Sequence, residues 1–253
     1  METPESQQEV TVLDLGLIGY RKAWEIQEQL LQENLRIKEQ KRLDPQQFAG
    51  FSTNHYLIFC EHTPVYTLGK SGKAEHLLAT PVQLRDRGIE FVETNRGGDI
   101  TYHGPGQIVG YPILDLERFR PDIGYYLRSL EETIIRAIAP YGITGDRSSG
   151  ETGVWLDPQD KAKARKICAM GVRCSRWITM HGFALNVNTD LSYFSGIIPC
   201  GISDKQVTSM EKELGRPVLL QEVRGRIRKA FGEVFGVRTE ARQDLNRTSF
   251  LKI

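Results

Sequence analysis

Two glycine-punctuated stretches of this 253-residue chain carry side chains that can do chemistry. The first, Arg96 to Gln107, sets an arginine, a tyrosine and a histidine among four glycines. The second, Lys166 to Gly201, carries a lysine, a histidine and a cysteine between proline and glycine. Glycine permits positive φ and close approach of the backbone to another group. A structural hairpin connection is the alternative for the first stretch, but the pair of stretches predicts two walls of one site.

Cys200 is the candidate nucleophile among the four cysteines. It lies between Pro199 and Gly201, so proline fixes the approach of the chain and glycine leaves the backbone accessible. This setting favours an exposed thiol at a loop or helix start, which a reactive cysteine needs. A cysteine that merely fills a turn is the alternative. The remaining cysteines lie in or beside strand-like segments, where free cysteines are usually small buried hydrophobes: Cys60, Cys168 and Cys174.

Lys166 is the candidate partner of the cysteine, because a thiolate needs a neighbouring cation or base. It follows Arg165 and precedes the apolar Ile167 in a strand-like segment. A lysine on the concave side of a sheet would be partly desolvated, which lowers its pKa towards values useful for proton transfer. An exposed strand lysine is the alternative. His103 and His181 are competing bases, and the sequence does not rank them.

The elements that must position these residues alternate irregularly along the chain. Amphipathic patterns predict helices from Tyr20 to about Leu43, from Asp122 to Tyr141 and from Leu220 to Phe235. Apolar or alternating runs between them predict strands, including Gln107 to Leu116, where Pro112 indicates an edge or an irregularity. Because strands and helices occur in clumps, we predict an α+β fold with a mixed or antiparallel central sheet.

Composition argues against several function classes. Lys and Arg total 33 against 32 Asp and Glu, a net charge of +1, so nothing suggests broad attraction to nucleic acid or membrane. The first nine residues are polar and acidic and lack the pattern of a signal peptide. The cysteines show neither a disulfide framework nor a CxxC metal pattern. We therefore expect a cytoplasmic protein, with the polar tail after Val237 poorly ordered.

Several motifs together carry a resemblance to a known family. They are Arg96 to Tyr111, Arg165 to Ile167, His181 to Asn188, Ile198 to Ile202, and Asp204-Lys205 with Val207 to Ser209. In these motifs, and in their order from about Val10 to Phe235, the chain resembles the octanoyltransferase family. These lipoyl(octanoyl) transferases of protein lipoylation share the biotin/lipoate protein ligase-like fold.

The resemblance implies one catalytic domain at residues 10–237, with a mixed central sheet flanked by helices, and polar terminal segments at residues 1–9 and 238–253. The family's catalytic cysteine and lysine fall on Cys200, the acyl-thioester nucleophile, and Lys166, which lowers the cysteine pKa and acts as general acid and base. The substrate-binding residues that the resemblance implies are Arg96, Gly97, Gly98, Asp99, Ile100, Thr101, Tyr102, His103, Ala169, Met170, Gly171, Gly182, Phe183 and Ala184.

The implied reaction transfers an octanoyl or lipoyl group from octanoyl-acyl carrier protein to a specific lysine of a lipoyl domain. The implied acceptors are 2-oxoacid dehydrogenase complexes or the glycine cleavage H protein, and no cofactor, metal or ATP is needed. An ATP-dependent lipoate or biotin ligase of the same fold is the main alternative. A non-catalytic acyl-protein binding module and a cysteine hydrolase are further alternatives.

Overall fold

The fold is described from a computed structural model over residues 7–198 and 206–242. Its strands are β1 Glu9–Ile18, β2 Tyr56–His62, β3 Val65–Leu68, β4 Glu90–Glu93, β5 Ile100–His103, β6 Gln107–Ile113, β7 Asp146–Ser148, β8 Glu151–Leu156, β9 Arg165–Ser175, β10 Ile178–Asn186, β11 Gln206–Val207 and β12 Arg238–Ala241. Its α-helices are α1 Tyr20–Leu43, α2 Pro81–Asp86, α3 Ile123–Ile138, α4 Met210–Leu214 and α5 Leu220–Phe235.

Most strands join one mixed sheet in the order β12-β1-β2-β6-β10-β9-β8-β7, and β11 pairs with β9. Strand β1 is parallel to both β12 and β2, whereas β2, β6, β10, β9 and β8 pair antiparallel in turn. A second, smaller sheet has the order β4-β3-β5. The predicted α+β fold with a mixed central sheet is confirmed.

Helices cover both faces of the main sheet, which explains why the sequence of the central strand β2 is continuously apolar. Successive strand residues point to opposite faces. Leu57 and Phe59 belong to the core beneath α3 and α5. Ile58 and Cys60 belong to the core beneath α1. The central strands are therefore buried on both faces and form a rigid support for the side chains that they carry.

Pro112 lies in a central strand, not at an edge. Strand β6 is paired with β2 on one side and β10 on the other. Proline has no N–H to donate, and the side chain of Thr179 forms hydrogen bonds to the backbone of β6 around Pro112. Its hydroxyl donates to the Pro112 carbonyl at 2.8 Å and accepts from the Leu114 N–H at 2.9 Å. Of the two interpretations of Pro112, the irregularity is the one that the structure supports.

The expected poor order of the tail after Val237 is wrong for Arg238–Ala241, which form β12, while residues 243–253 lie outside the described part of the chain. Strand β12 pairs parallel with β1 in a register that places Arg238 beside Glu9 and Ala241 beside Val12. The first residues of the two strands, Glu9 and Arg238, also form an ion pair. In the described part of the chain, no helix is long and apolar enough to cross a membrane.

Replacing Gly182 by alanine should destabilise the protein. A Cβ at Gly182 would overlap the carbonyl oxygen of Gly110 on the neighbouring strand, and backbone cannot move aside as a flexible side chain can. We expect a loss of about 1–3 kcal/mol in the free energy of unfolding, measured by denaturant unfolding. The control is Gly225→Ala in α5, where a Cβ meets nothing within 4 Å. It should stabilise by about 0.5–1 kcal/mol, and equal effects of the two substitutions would contradict this account of the packing.

Candidate active site

A cavity lies where the small sheet and its loop meet β9 and β10. It encloses about 980 Å³ of space, including its opening to solvent. Most residues that the sequence singled out line it: Arg96, Gly98, Asp99, Ile100, Thr101, His103, Lys166, Ala169, Met170, Gly171, His181, Gly182, Phe183 and Ala184. The two glycine-punctuated stretches therefore form two walls of one cavity.

Gly97 and Tyr102 are not among the residues that line this cavity. Tyr102 lies between two lining residues of β5, so its side chain points to the opposite face of the strand. There it stacks on Tyr193, with ring centroids 4.7 Å apart. Gly97 instead contributes backbone, because its N–H donates to the Val172 carbonyl at 2.9 Å and ties the loop to β9.

Arg96 is a buried cation held in the wall by fixed acceptors. Its guanidinium donates to the Thr67 carbonyl at 2.6 Å and to the Thr67 hydroxyl at 2.9 Å, and also to the Gly97 carbonyl at 3.0 Å. The side chain of Asp99 is held in the same way. One carboxylate oxygen accepts from the Ile100 N–H at 2.7 Å, and the other contacts His76 Nδ1 at 2.6 Å.

Lys166 lies on β9 with its side chain partly buried and directed to the cavity. Its Nζ lies over the ring of Trp155, 4.6 Å from the centroid. The pairing of β8 with β9 shifts register just before Trp155. At the shift the N–H of Gly153 donates to the buried carboxylate of Glu131 at 2.9 Å. This bulge aligns Trp155 with Lys166 in the register of the two strands.

Cys200 falls in residues 199–205, which lie outside the described part of the chain. The described residues on either side contact elements that border the cavity. Before it, the Ile198 N–H donates to the His76 carbonyl at 2.8 Å. After it, Val207 pairs with Lys166, and the Thr208 N–H donates to the Lys166 carbonyl at 3.0 Å. The described residues that flank this stretch therefore contact elements beside the site.

The three described cysteines do not line the cavity. Cys60 and Cys168 are fully buried, and burial raises the pKa of both thiols above the ordinary value. Cys174 is partly buried, and burial raises its pKa as well. None of the three lines the cavity. Their burial agrees with the prediction that they pack as small hydrophobes.

Both candidate histidines are neutral at ordinary pH. Burial and, to a smaller extent, the nearby positive charge of Arg96 lower the pKa of His181 to about 3. Burial likewise holds the pKa of His103 well below its usual range. The His103 Nδ1 donates to Gln107 Oε1 at 2.7 Å, a tautomer assigned from the hydrogen-bond network. Neither imidazole therefore supplies positive charge to a thiolate, whereas a lysine ammonium does.

Acid should destabilise the protein through its buried histidines. Burial lowers the pKa of His55 and His62 to about 4 and that of His181 to about 3. Unfolded histidine titrates near 6.5, so between pH 6.5 and about 4 the unfolded chain binds more protons. Stability must then fall as pH falls through this window.

Thermal or urea unfolding across pH 4–7.5 measures this slope. The substitution His62→Gln removes one titrating group and should make the slope shallower by up to about 1.4 kcal/mol per pH unit. An unchanged slope in that variant would contradict the assignment of a neutral buried imidazole at His62.

Sequence reasoning missed several residues of the cavity wall. They are Tyr20, Val109, Tyr111, Glu151, Trp155, Asn186, Phe194, Gln206 and Val207. Asn186 belongs to a motif that was singled out, and its Oδ1 accepts from Gln107 Nε2 at 2.9 Å while its Nδ2 donates to the Thr208 carbonyl at 3.0 Å. Tyr111 ends the Arg96 to Tyr111 motif, whereas Tyr20 gave no signal because the start of a helix explains it equally well.

Comparison with known proteins shows the family of this chain. Residues 19–232 match the lipoyl protein ligase A/B catalytic domain. An octanoyltransferase of Flavobacterium psychrophilum is 56% identical over 89% of this chain and 96% of its own length. An octanoyltransferase of Cytophaga hutchinsonii is 52% identical over 91% of this chain and 94% of its own.

Solved structures show the same fold at low sequence identity. Lipoate-protein ligase A bound with ATP has a TM-score of 0.67 and 15% identity, covering 95% of this chain and 90% of its own. A bipartite lipoate protein ligase from Thermoplasma acidophilum has a TM-score of 0.67 and 17% identity, covering 94% and 87%. The chain belongs to the lipoyl protein ligase A/B catalytic domain family. Within it, the chain groups with the octanoyltransferases, which are acyltransferases.

Proposed function

We propose that this protein transfers an octanoyl or lipoyl group from the phosphopantetheine thioester of acyl carrier protein to one lysine of a lipoyl domain, as the first step of endogenous protein lipoylation. The acyl group passes through a thioester on Cys200. The observation that carries the proposal is Lys166 on the wall of the cavity, with its backbone bonded to Val207 and Thr208, which follow the stretch containing Cys200 in the sequence.

The first half-reaction moves the acyl group to the enzyme. The Cys200 thiolate attacks the thioester carbonyl, forming a carbon–sulfur bond to the enzyme and breaking the bond to pantetheine. The ammonium of Lys166 favours the thiolate by its positive charge. It then gives its proton to the departing pantetheine sulfur, which leaves as a thiol.

The second half-reaction moves the acyl group to the acceptor. A free lysine has a pKa of about 10.4 and is mostly an unreactive ammonium at neutral pH. The acceptor ammonium releases one proton to solvent, and neutral Lys166 accepts the second proton from the amine nitrogen as it attacks the Cys200 thioester. An amide forms and the cysteine leaves as a thiolate. Because a thioester is higher in free energy than an amide, the transfer needs no ATP.

The cavity wall supplies the binding energy for the acyl chain in this proposal. Apolar residues line the space, among them Val109, Met170 and Phe183. Burying methylenes is worth about 0.8 kcal/mol each. Burial of an eight-carbon chain therefore contributes several kcal/mol of binding free energy. The depth of the cavity limits the length of chain that can be fully buried. Glycines in the segment Arg96 to Thr101, together with Gly171 and Gly182, allow the protein backbone to approach the acyl chain closely.

Acceptors in this proposal are the lipoyl domains of 2-oxoacid dehydrogenase complexes or the glycine cleavage H protein, and the site of action is the cytoplasm. The cytoplasmic assignment is supported by the three described cysteines, which are free thiols, as is usual in a reducing compartment.

Mixing the protein with octanoyl-acyl carrier protein and an apo lipoyl domain, without ATP, tests the function. Mass spectrometry of the lipoyl domain should show one octanoyl-lysine. A parallel reaction contains free octanoate with ATP and magnesium. Modification only in that second reaction would establish the ATP-dependent ligase instead, and release of free octanoate without modification would establish a hydrolase.

A further inference from the structure

A β-bulge in β9 sets the direction in which Lys166 points. Val154 of β8 pairs with Cys168, whereas the next residue of β8, Trp155, pairs with Lys166. Ile167 is therefore an extra residue of β9 between these two pairs. Two residues of one strand opposite one residue of its neighbour define a β-bulge, which redirects side chains and occurs often beside active sites.

The bulge decides which face of β9 Lys166 occupies. Ile167 and Cys168 both lie in the core beneath α3 and α5, together with Val154. Consecutive residues of a regular strand point to opposite faces. Without the bulge, Lys166 would therefore share the face of Cys168, which is the core face. A change of one residue in register moves the lysine from the cavity to the core.

Gly153 brings the two strands together at the bulge. Its φ of +122° lies in the range that favours glycine. A Cβ at this position would lie 2.5 Å from the Cys168 carbonyl oxygen, so the two backbones approach closely. The Gly153 N–H donates to a side chain of α3, at 2.9 Å from Glu131 Oε1. A helix carboxylate therefore supplies the hydrogen-bond acceptor at the irregular point of the sheet.

The side chain of Glu131 is 0% exposed and lies between two arginines. Its Oε1 is 2.8 Å from Arg128 Nη2, and its Oε2 is 3.2 Å from Arg147 Nε. Both arginines retain exposed surface, whereas the carboxylate is fully removed from water. Burying a carboxylate costs free energy even when it is paired. Packing alone would therefore be served better by an apolar side chain at this position.

We propose that Glu131 is a positioning residue, which holds the bulge between β8 and β9 and thereby keeps Lys166 in the cavity beside Trp155. Glu131 is not among the described residues that line the cavity, so it acts on Lys166 through the backbone N–H of Gly153. The consequence for acyl transfer rests on the proposed function, in which Lys166 is the acid and base.

Three variants separate the hydrogen bond from the charge. Glu131→Leu forms helix well but has no acceptor for the Gly153 N–H. Glu131→Gln keeps an amide oxygen, which should occupy the Oε1 position because two donors, the Gly153 N–H and Arg128 Nη2, meet there. Glu132→Leu is the matched control, since Glu132 also pairs with Arg147, at 2.7 Å, while the Gly153 hydrogen bond is made by its neighbour.

NMR reports the position of Lys166 without any acyl transfer. Reductive methylation with isotope-labelled formaldehyde and a borane reductant labels lysines, and Lys166→Arg identifies the Lys166 signal by its loss. Because Nζ lies over the Trp155 ring, 4.6 Å from the centroid, the ring current should shift this signal upfield of that of the exposed Lys163. The upfield shift should disappear in Glu131→Leu and persist in Glu131→Gln and Glu132→Leu.

The kinetics of acyl transfer supply the second measurement. Glu131→Leu should lower kcat by roughly 10-fold to 100-fold, because a misplaced catalytic group costs rate, and should leave KM for the octanoyl donor within about twofold. Glu131→Gln should restore kcat to within about threefold of wild type, because it restores the hydrogen bond. A role confined to stability would leave kcat per folded molecule unchanged in Glu131→Leu, which would overturn the inference.

A Lys166 signal that stays at its wild-type position in Glu131→Leu would also overturn the inference, as would one that moves equally in Glu131→Gln. If Glu131→Leu does not fold, Glu131→Asp replaces it. Aspartate keeps the charge between the arginines, but it is shorter by one methylene, which withdraws its oxygens from the Gly153 N–H. The upfield shift should then disappear in Glu131→Asp, and an unmoved signal would contradict the proposal.

The outcome is separable from that of the proposed function, because the NMR measurement needs no donor and no acceptor. If the Lys166 signal moves in Glu131→Leu while the wild-type protein modifies no lipoyl domain, the positioning role stands and the function fails. If the signal stays while wild type transfers octanoyl, the function stands and Glu131 has no positioning role.

Discussion

The Cys200→Ser protein should lose octanoyl transfer by roughly a thousandfold or more. Serine is similar in size, but its hydroxyl is far less acidic than a thiol and one lysine is a weak activator for it. Transfer is measured as the initial rate of octanoyl-lysine formation on a lipoyl domain, with octanoyl-acyl carrier protein as donor. Thermal unfolding of the variant should match that of wild type, which separates lost chemistry from lost fold.

Cys174→Ser is the control for this substitution. Cys174 is only partly buried on β9 and does not line the cavity, so its replacement should leave the rate within about twofold of wild type. Substantial transfer by Cys200→Ser would contradict the covalent route. It would favour direct attack of the acceptor lysine on the donor thioester within the same cavity.

Replacing Lys166 by methionine should slow both half-reactions by roughly 100-fold to 10,000-fold, the usual contribution of a positioned acid–base group. Methionine retains much of the chain that packs over Trp155 but has no proton to give. Rapid-quench measurements follow the two steps separately, namely release of the pantetheine thiol and discharge of the acyl-enzyme onto a lipoyl domain.

Lys163→Met provides the matched comparison for Lys166. Lys163 is an exposed lysine three residues away, paired with Asp160 at 3.2 Å and absent from the cavity wall. Its loss should change neither step. If Lys166→Met slowed only release of the pantetheine thiol, the lysine would act as an acid in the first step alone and another group would deprotonate the acceptor.

Periodicity was enough to locate the long helices. Amphipathic patterns predicted α1 over Tyr20–Leu43 and α5 over Leu220–Phe235 with the bounds that the structure shows. These segments are long and one face of each is apolar, so local sequence and tertiary burial favour the same structure. The two glycine-punctuated stretches, Arg96 to Gln107 and Lys166 to Gly201, similarly predicted two walls of one site.

Features that depend on contacts between distant parts of the sequence could not be predicted. Strand β12 is polar, and the sequence does not show that its backbone pairs with β1 at the opposite end of the chain. Tyr20 gave no sign of lining the cavity, since its tyrosine also fits the apolar face of a helix. His181 has a left-handed backbone and contacts Gln27 and Asn95, which lie far away in sequence, so the local sequence does not show its setting.

Intact-protein mass spectrometry tests the central claim most directly. The protein is mixed with octanoyl-acyl carrier protein, without ATP and without acceptor, and wild type is compared with Cys200→Ser. The account predicts a gain of one octanoyl group in wild type, no gain in the variant, and loss of the adduct when a lipoyl domain is added. No adduct in wild type under conditions where a lipoyl domain becomes octanoylated would contradict the Cys200 acyl-enzyme.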